Sequence, residues 1–96
     1  MRDFKELYEN YGIRFCIFCE GIRCYGLSEE EKAEVVKVFE DVKELCDMVE
    51  FEGGIFKRDG REFVVVKKDD CVAVALKGNG VGVTYYRLKR ALRDLK

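Results

Sequence analysis

Residues 28–49 read SEEEKAEVVKVFEDVKELCDMV, and the fold follows from how that stretch is patterned. Ser28 followed by Glu31 forms a capping box, in which hydroxyl and carboxylate satisfy backbone N–H groups that the first helical turn leaves free. Glu29, Glu30 and Glu31 also set negative charge at the positive end of the helix dipole. Val35, Val38, Phe39, Val42, Leu45, Cys46 and Val49 then recur at three- and four-residue spacing and fall on one stripe. A long amphipathic helix is expected here, as the one long connection between two groups of strands.

Toward the N-terminus, Met1, Phe4, Leu7, Tyr8 and Tyr11 share a helical face, which predicts a short first helix over residues 2–10 ended by Gly12. Residues 13–19 are almost continuously apolar, as in a strand covered on both faces. Glu20-Gly21 reads as a two-residue hairpin turn, and residues 22–25 return as a second strand. On the other side of the long helix, residues 49–57 read as a third strand, in which Gly53-Gly54 predicts a bulge or an irregular edge. Asp59-Gly60 is the strongest hairpin signal in the chain, and it sets Phe56 opposite Phe63 and Ile55 opposite Val64. Residues 63–66 and 71–76 are apolar at nearly every position, so they should be adjacent strands covered on both faces. After Gly78-Asn79-Gly80, the spacing of Val81, Tyr85, Leu88, Leu92 and Leu95 predicts a closing helix. The fold class is therefore α+β in the order α-β-β-α-β-β-β-α: a single antiparallel sheet with helices on both faces. Phe15, Ile17, Phe39, Val42, Val65, Val74, Leu88 and Leu92 should be buried.

Ninety-six residues suit one domain, and nothing marks a linker, a repeat or a low-complexity segment. No apolar run is long enough to span a bilayer, so no membrane insertion is expected. The first residues lack the apolar core of a secretory signal, and a cytoplasmic address follows by default. The chain lacks proline, glutamine and histidine, while 39% of its residues are charged, a bias that suits a thermophile. Net charge is −1 but unevenly spread: residues 1–50 carry seven Lys/Arg against thirteen Asp/Glu, and residues 51–96 carry eleven against six. Arg87, Arg90 and Arg93 on the last helix are thus either a solvated face or a docking face for a partner. The helix lacks the aromatic interleaving of single-strand binders, so nucleic acid is not expected.

Five cysteines invite a zinc or redox reading, above all Cys16-x-x-Cys19 with Cys24. With Glu20-Gly21 as the turn, Cys19 and Cys24 share one face while Cys16 points to the other. No histidine is available and no fourth thiol lies nearby, so core thiols without a metal are expected. Gly78-x-Gly80-x-Gly82 opens a helix, but it misses the spacing of dinucleotide-binding loops, and too little chain follows it for a nucleotide-binding unit. A tight helix entrance capped by Asn79 is the simpler account. Without histidine no Ser–His–Asp or Cys–His set exists. No catalytic residue, cofactor or metal is assigned, and the chain is not expected to be an enzyme.

Residues 13–22, a hydrophobic strand followed by the acid-Gly-aliphatic turn Glu20-Gly21-Ile22, carry a resemblance. So do Phe63-Val64-Val65-Val66, the strand at 71–76, and Asn79-Gly80-Val81-Gly82-Val83 leading into Leu88 and Leu92. Together these resemble the Roadblock family of dynein-light-chain-like domains over almost the whole chain. The resemblance implies a five-stranded antiparallel sheet with the central helix on one face and the terminal helices on the other. It also implies a non-enzymatic homodimeric scaffold, paired through its third strands with the central helices side by side, acting with a small Ras-like GTPase or related complex. Val36, Glu40, Lys43 and Met48 on the helix, with Val49, Phe51 and Ile55 on the strand, would form that interface, Glu40 of one chain meeting Lys43 of the other. Outside its main stripe, however, the helix is mostly Glu and Lys, with only Ala33, Val36 and Met48 apolar. The nearest alternatives are profilin-like and longin-like domains, for which the function would be sensing of a small ligand in a cavity between sheet and helix.

Overall fold

The computed structural model describes residues 4–48, 53–68, 70–76 and 80–93. Along the chain these form α1 (Lys5–Tyr11), β1 (Phe15–Phe18), β2 (Ile22–Tyr25), α2 (Glu29–Met48), β3 (Gly53–Arg58), β4 (Arg61–Lys68), β5 (Cys71–Leu76) and α3 (Val81–Arg93). The five strands make one antiparallel sheet in the order β2-β1-β5-β4-β3. The most apolar strands are therefore central, and β2 and β3 are the edges.

The alternation of side chains along β4 shows why its sequence is continuously apolar. Val64 and Val66 pack with Phe15, Ile17, Leu88 and Leu92 beneath α1 and α3. Phe63 and Val65 point the other way, into a second cluster with Val35, Val38, Val42 and Val74 beneath α2. Each strand face is covered by helix, so neither tolerates polar residues. The central helix and the terminal helices thus lie on opposite faces of the sheet. Phe15, Ile17, Val42, Val65, Val74, Leu88 and Leu92 are buried as expected. Phe39 is only half-buried, because it sits on the flank of α2 and stacks on Phe18 with ring centroids 3.9 Å apart.

The capping box forms at the start of α2. The Ser28 N–H donates to Glu31 Oε1 at 3.0 Å, and the Glu31 N–H donates to Ser28 Oγ at 3.2 Å. Arg14 adds its guanidinium to the same carboxylate at 3.1 Å. At the β3–β4 turn, Asp59 (φ 50°) and Gly60 (φ 78°) both adopt the left-handed region that a two-residue hairpin of this twist requires. Phe56 faces Phe63 and Ile55 faces Val64.

Several expectations need correction. The β1–β2 connection has three residues, 19–21, because Phe18 pairs with Ile22 and Cys16 with Cys24. One extra residue in the turn shifts the register by one and moves Cys24 to the face of Cys16. The two are joined as a disulfide, and Cys19 is joined to Cys71. Cys19 and Cys71 lie one step beyond the Phe18–Val72 pair of β1 and β5, so β1 is linked covalently to both of its neighbours. The expectation of free core thiols does not hold for these four, and Cys19 is exposed; the Cys46 side chain lies outside the described residues.

The glycines at the start of β3 introduce no bulge, since Gly53 and Gly54 pair in regular register with Val66 and Val65. What Gly53 provides is room: a Cβ there would lie 2.5 Å from the Val65 carbonyl oxygen and 2.8 Å from Cε1 of the Tyr85 ring. The first helix is shorter and shifted relative to 2–10, ending where Gly12 turns left-handed at φ 67°. Tyr8 and Tyr11 are exposed rather than buried with Leu7. The first strand starts later than residue 13, because α1, Gly12 and the Arg14 carbonyl, which accepts from the Leu76 N–H at 3.0 Å, lead into it. The expected Asn79 cap and Leu95 contact, and residues 49–52 of the expected third strand, lie outside the described residues.

Candidate interaction surfaces

Two surfaces follow from this arrangement. The first is the β3 edge with the neighbouring side of α2. Among the described residues, no strand pairs with β3 on the side away from β4. Ile55 is 51% exposed there, and its pairing with Val64 places it on the sheet face that carries α1 and α3. Phe56, one residue on, turns to the other face and packs partly beneath α2.

The flank of α2 nearest this hairpin is fixed by two ion pairs: Arg61 to Glu34 at 2.6 Å, and Arg58 to Asp41 at 3.1 Å. Helical spacing puts the exposed Lys37 and Glu44 beside Glu34 and Asp41. Val36 and Lys43 lie instead near Phe39, on the flank above β1, with Val36 half-buried against its own core. Glu40 is exposed near the crest of the helix. The structure therefore does not bring Val36, Glu40 and Lys43 to the same place as Ile55; it sets them on opposite faces of the sheet. The Met48 side chain, Val49 and Phe51 lie outside the described residues.

The second surface is the outward side of α3. Arg87 lies 3.6 Å from the centroid of the Tyr11 ring and so ties α3 to α1. Arg90 and Arg93 are exposed, and the Arg93 carbonyl accepts from the Lys68 ammonium at 3.2 Å. Val83 and Tyr86 are also exposed, at 58% and 60%. A cleft of about 310 Å³ opens between the end of α1 and the start of α3, lined by Tyr11, Val83 and Arg87 among others. Sequence reasoning found the arginines but missed the tyrosines, because Tyr11 was expected to face the core.

A second, larger cleft of about 660 Å³ is open to solvent at the start of α2 and includes Arg14, Glu31, Lys57, Arg61 and Glu62. Its charges are matched within the chain: Arg14 to Glu31, Lys57 to Glu62, and Arg61 to Glu34 beside it. Glu31 is held below the ordinary carboxylate value, first by the Ser28 backbone N–H and then by the Arg14 charge, against the opposing effect of burial. The ligand-sensing alternative needs a cavity between sheet and helix; the larger cleft lies between Glu31 of α2 and Lys57, Arg61, Glu62 and Leu76 of the sheet, but it is an open surface lined by paired charges rather than an enclosed cavity.

Among the described residues, no group of three or more cysteine, aspartate or glutamate side chains could hold a metal. No helix among them is long and apolar enough to cross a membrane. Comparison of the chain with protein-family models, with curated proteins and with solved structures finds no match.

Proposed function

We propose that this chain is a non-enzymatic binding module that works as a homodimer paired through β3, with a small Ras-like GTPase or a related regulatory complex as its partner. The observation that supports the dimer best is the β3 edge itself. Natural sheets rarely leave an edge open, and a two-fold copy would cover both edges by continuing the sheet. With β3 paired in this way, the sides of α2 that meet are those bearing Lys37 and Glu44, with Ile55 contributing on the opposite sheet face.

The GTPase is supported by the Roadblock resemblance together with a fold of the expected layout. The outward side of α3 is the docking face in this reading. A cytoplasmic setting in a thermophile accounts for the charge-rich, amide-poor composition. It also accommodates the disulfides, which occur inside hyperthermophiles although they are rare in other cytosols.

The test has two parts. Sedimentation equilibrium should give a mass twice that of the 11.2 kDa chain at micromolar concentration. The purified protein should hydrolyse no nucleotide alone, yet alter nucleotide exchange or hydrolysis by a GTPase from the same source. A monomer rejects the dimer, and an indifferent GTPase rejects the partner.

A further inference from the structure

We infer that the outward side of α3 docks an acidic segment of a partner protein, through a tyrosine–arginine surface that only the fold assembles. Val83, Tyr86, Arg90 and Arg93 follow at spacings of three, four and three residues and make one exposed stripe. Tyr11 of α1, beneath Arg87, extends the stripe across the cleft. The inference rests on the reading of the chain as a binding module, though on neither the dimer nor the GTPase.

Charge complementarity identifies the occupant. Within Val81–Arg93 there are four cations, at Arg87, Lys89, Arg90 and Arg93, and no carboxylate. None of the four forms an ion pair among the described residues, whereas Glu29, Glu31, Glu34 and Asp41 of α2 all do. Tyrosine and arginine are also the residues that anchor protein interfaces, because each combines apolar area with directed hydrogen bonding. A segment bearing carboxylates for Arg90 and Arg93, and one apolar side chain for the cleft between Tyr11 and Val83, matches this surface.

Other polyanions match it less well. A nucleic-acid binder is generally basic overall, whereas this chain carries a net charge of −1. One face of the Tyr11 ring is already occupied by Arg87, so it is closed to a stacking base. A helix lying on a membrane needs a broad free apolar face, but that face of α3, with Leu88, Ala91 and Leu92, is buried on the sheet.

The probe is a labelled helical peptide presenting Glu and Leu on one face, titrated against the full chain by fluorescence anisotropy. Its Lys-for-Glu counterpart and oligothymidylate serve as competitors. The acidic peptide should bind, more weakly as salt rises, and neither competitor should displace it. Arg90→Glu with Arg93→Glu should weaken binding roughly tenfold, and Tyr86→Ala about fivefold. Sedimentation of the variants should remain that of the parent, which separates loss of docking from loss of assembly. Absence of binding, binding unchanged by the charge reversal, or displacement by oligothymidylate would each overturn the inference and leave the dimer standing on its own test.

Discussion

Cys16 and Cys24 stand directly opposite one another in the β1–β2 ladder and are joined by a disulfide. With Cys19 joined to Cys71, β1 is fastened to β2 on one side and to β5 on the other. The second bond spans 52 residues and so restricts the unfolded chain more than the first, which spans eight. Cys19→Ser with Cys71→Ser should lower the free energy of unfolding by about 2–4 kcal/mol. Denaturant titration checks the magnitude, and a non-reducing peptide map checks the pairing. A map linking Cys16 to any cysteine other than Cys24 would place the hairpin in the wrong register.

Those cysteines mark where the sequence stopped being informative. Asp59-Gly60 announces its turn because only residues tolerant of positive φ can sit there. Its register could therefore be read in advance, down to Phe56 opposite Phe63. Glu20-Gly21 looks similar, but Cys19 belongs to that turn as well, and no local signal distinguishes two residues from three. A single residue then reverses which face every side chain of β2 occupies. The covered strands and the Ser28 cap were legible because burial on both faces and helix capping each dictate residue type directly. The α3 surface was legible only in part. Its arginines declare themselves, whereas Tyr11 joins them through the packing of α1 on α3, a relationship between elements far apart in the chain.

Gly53 and Tyr85 make a second long-range pair. Gly53→Ala should destabilise the fold by about 1–3 kcal/mol, since the added methyl meets a backbone carbonyl as well as a ring. Removing the ring as well, in Gly53→Ala with Tyr85→Ala, should not restore stability, because the Val65 oxygen remains. Thermal unfolding of the two variants decides this; full recovery in the double variant would mean that the ring alone makes glycine necessary.

At the start of α2, Ser28→Ala should cost about 1 kcal/mol. Glu31 gives a pH dependence with a definite sign. Its carboxyl is lowered in the folded state, so the stability it contributes is complete above the ordinary carboxylate range and is lost as pH falls through the folded value. Glu31→Gln should therefore be less stable than the parent near neutral pH, and the gap should close on acidification. Denaturant titrations at a series of pH values measure it, and a gap that widens in acid would contradict the assignment.

Residue-resolved hydrogen exchange distinguishes a β3 strand paired with its own copy from an open sheet edge. In a dimer paired through β3, the amides of residues 53–58 that point away from β4 are hydrogen-bonded across the two-fold axis. They should be protected at high micromolar concentration and should lose that protection on dilution, while those of β4 and β5 keep theirs. Outward β3 amides that exchange at the rate of an open edge at every concentration would contradict that pairing.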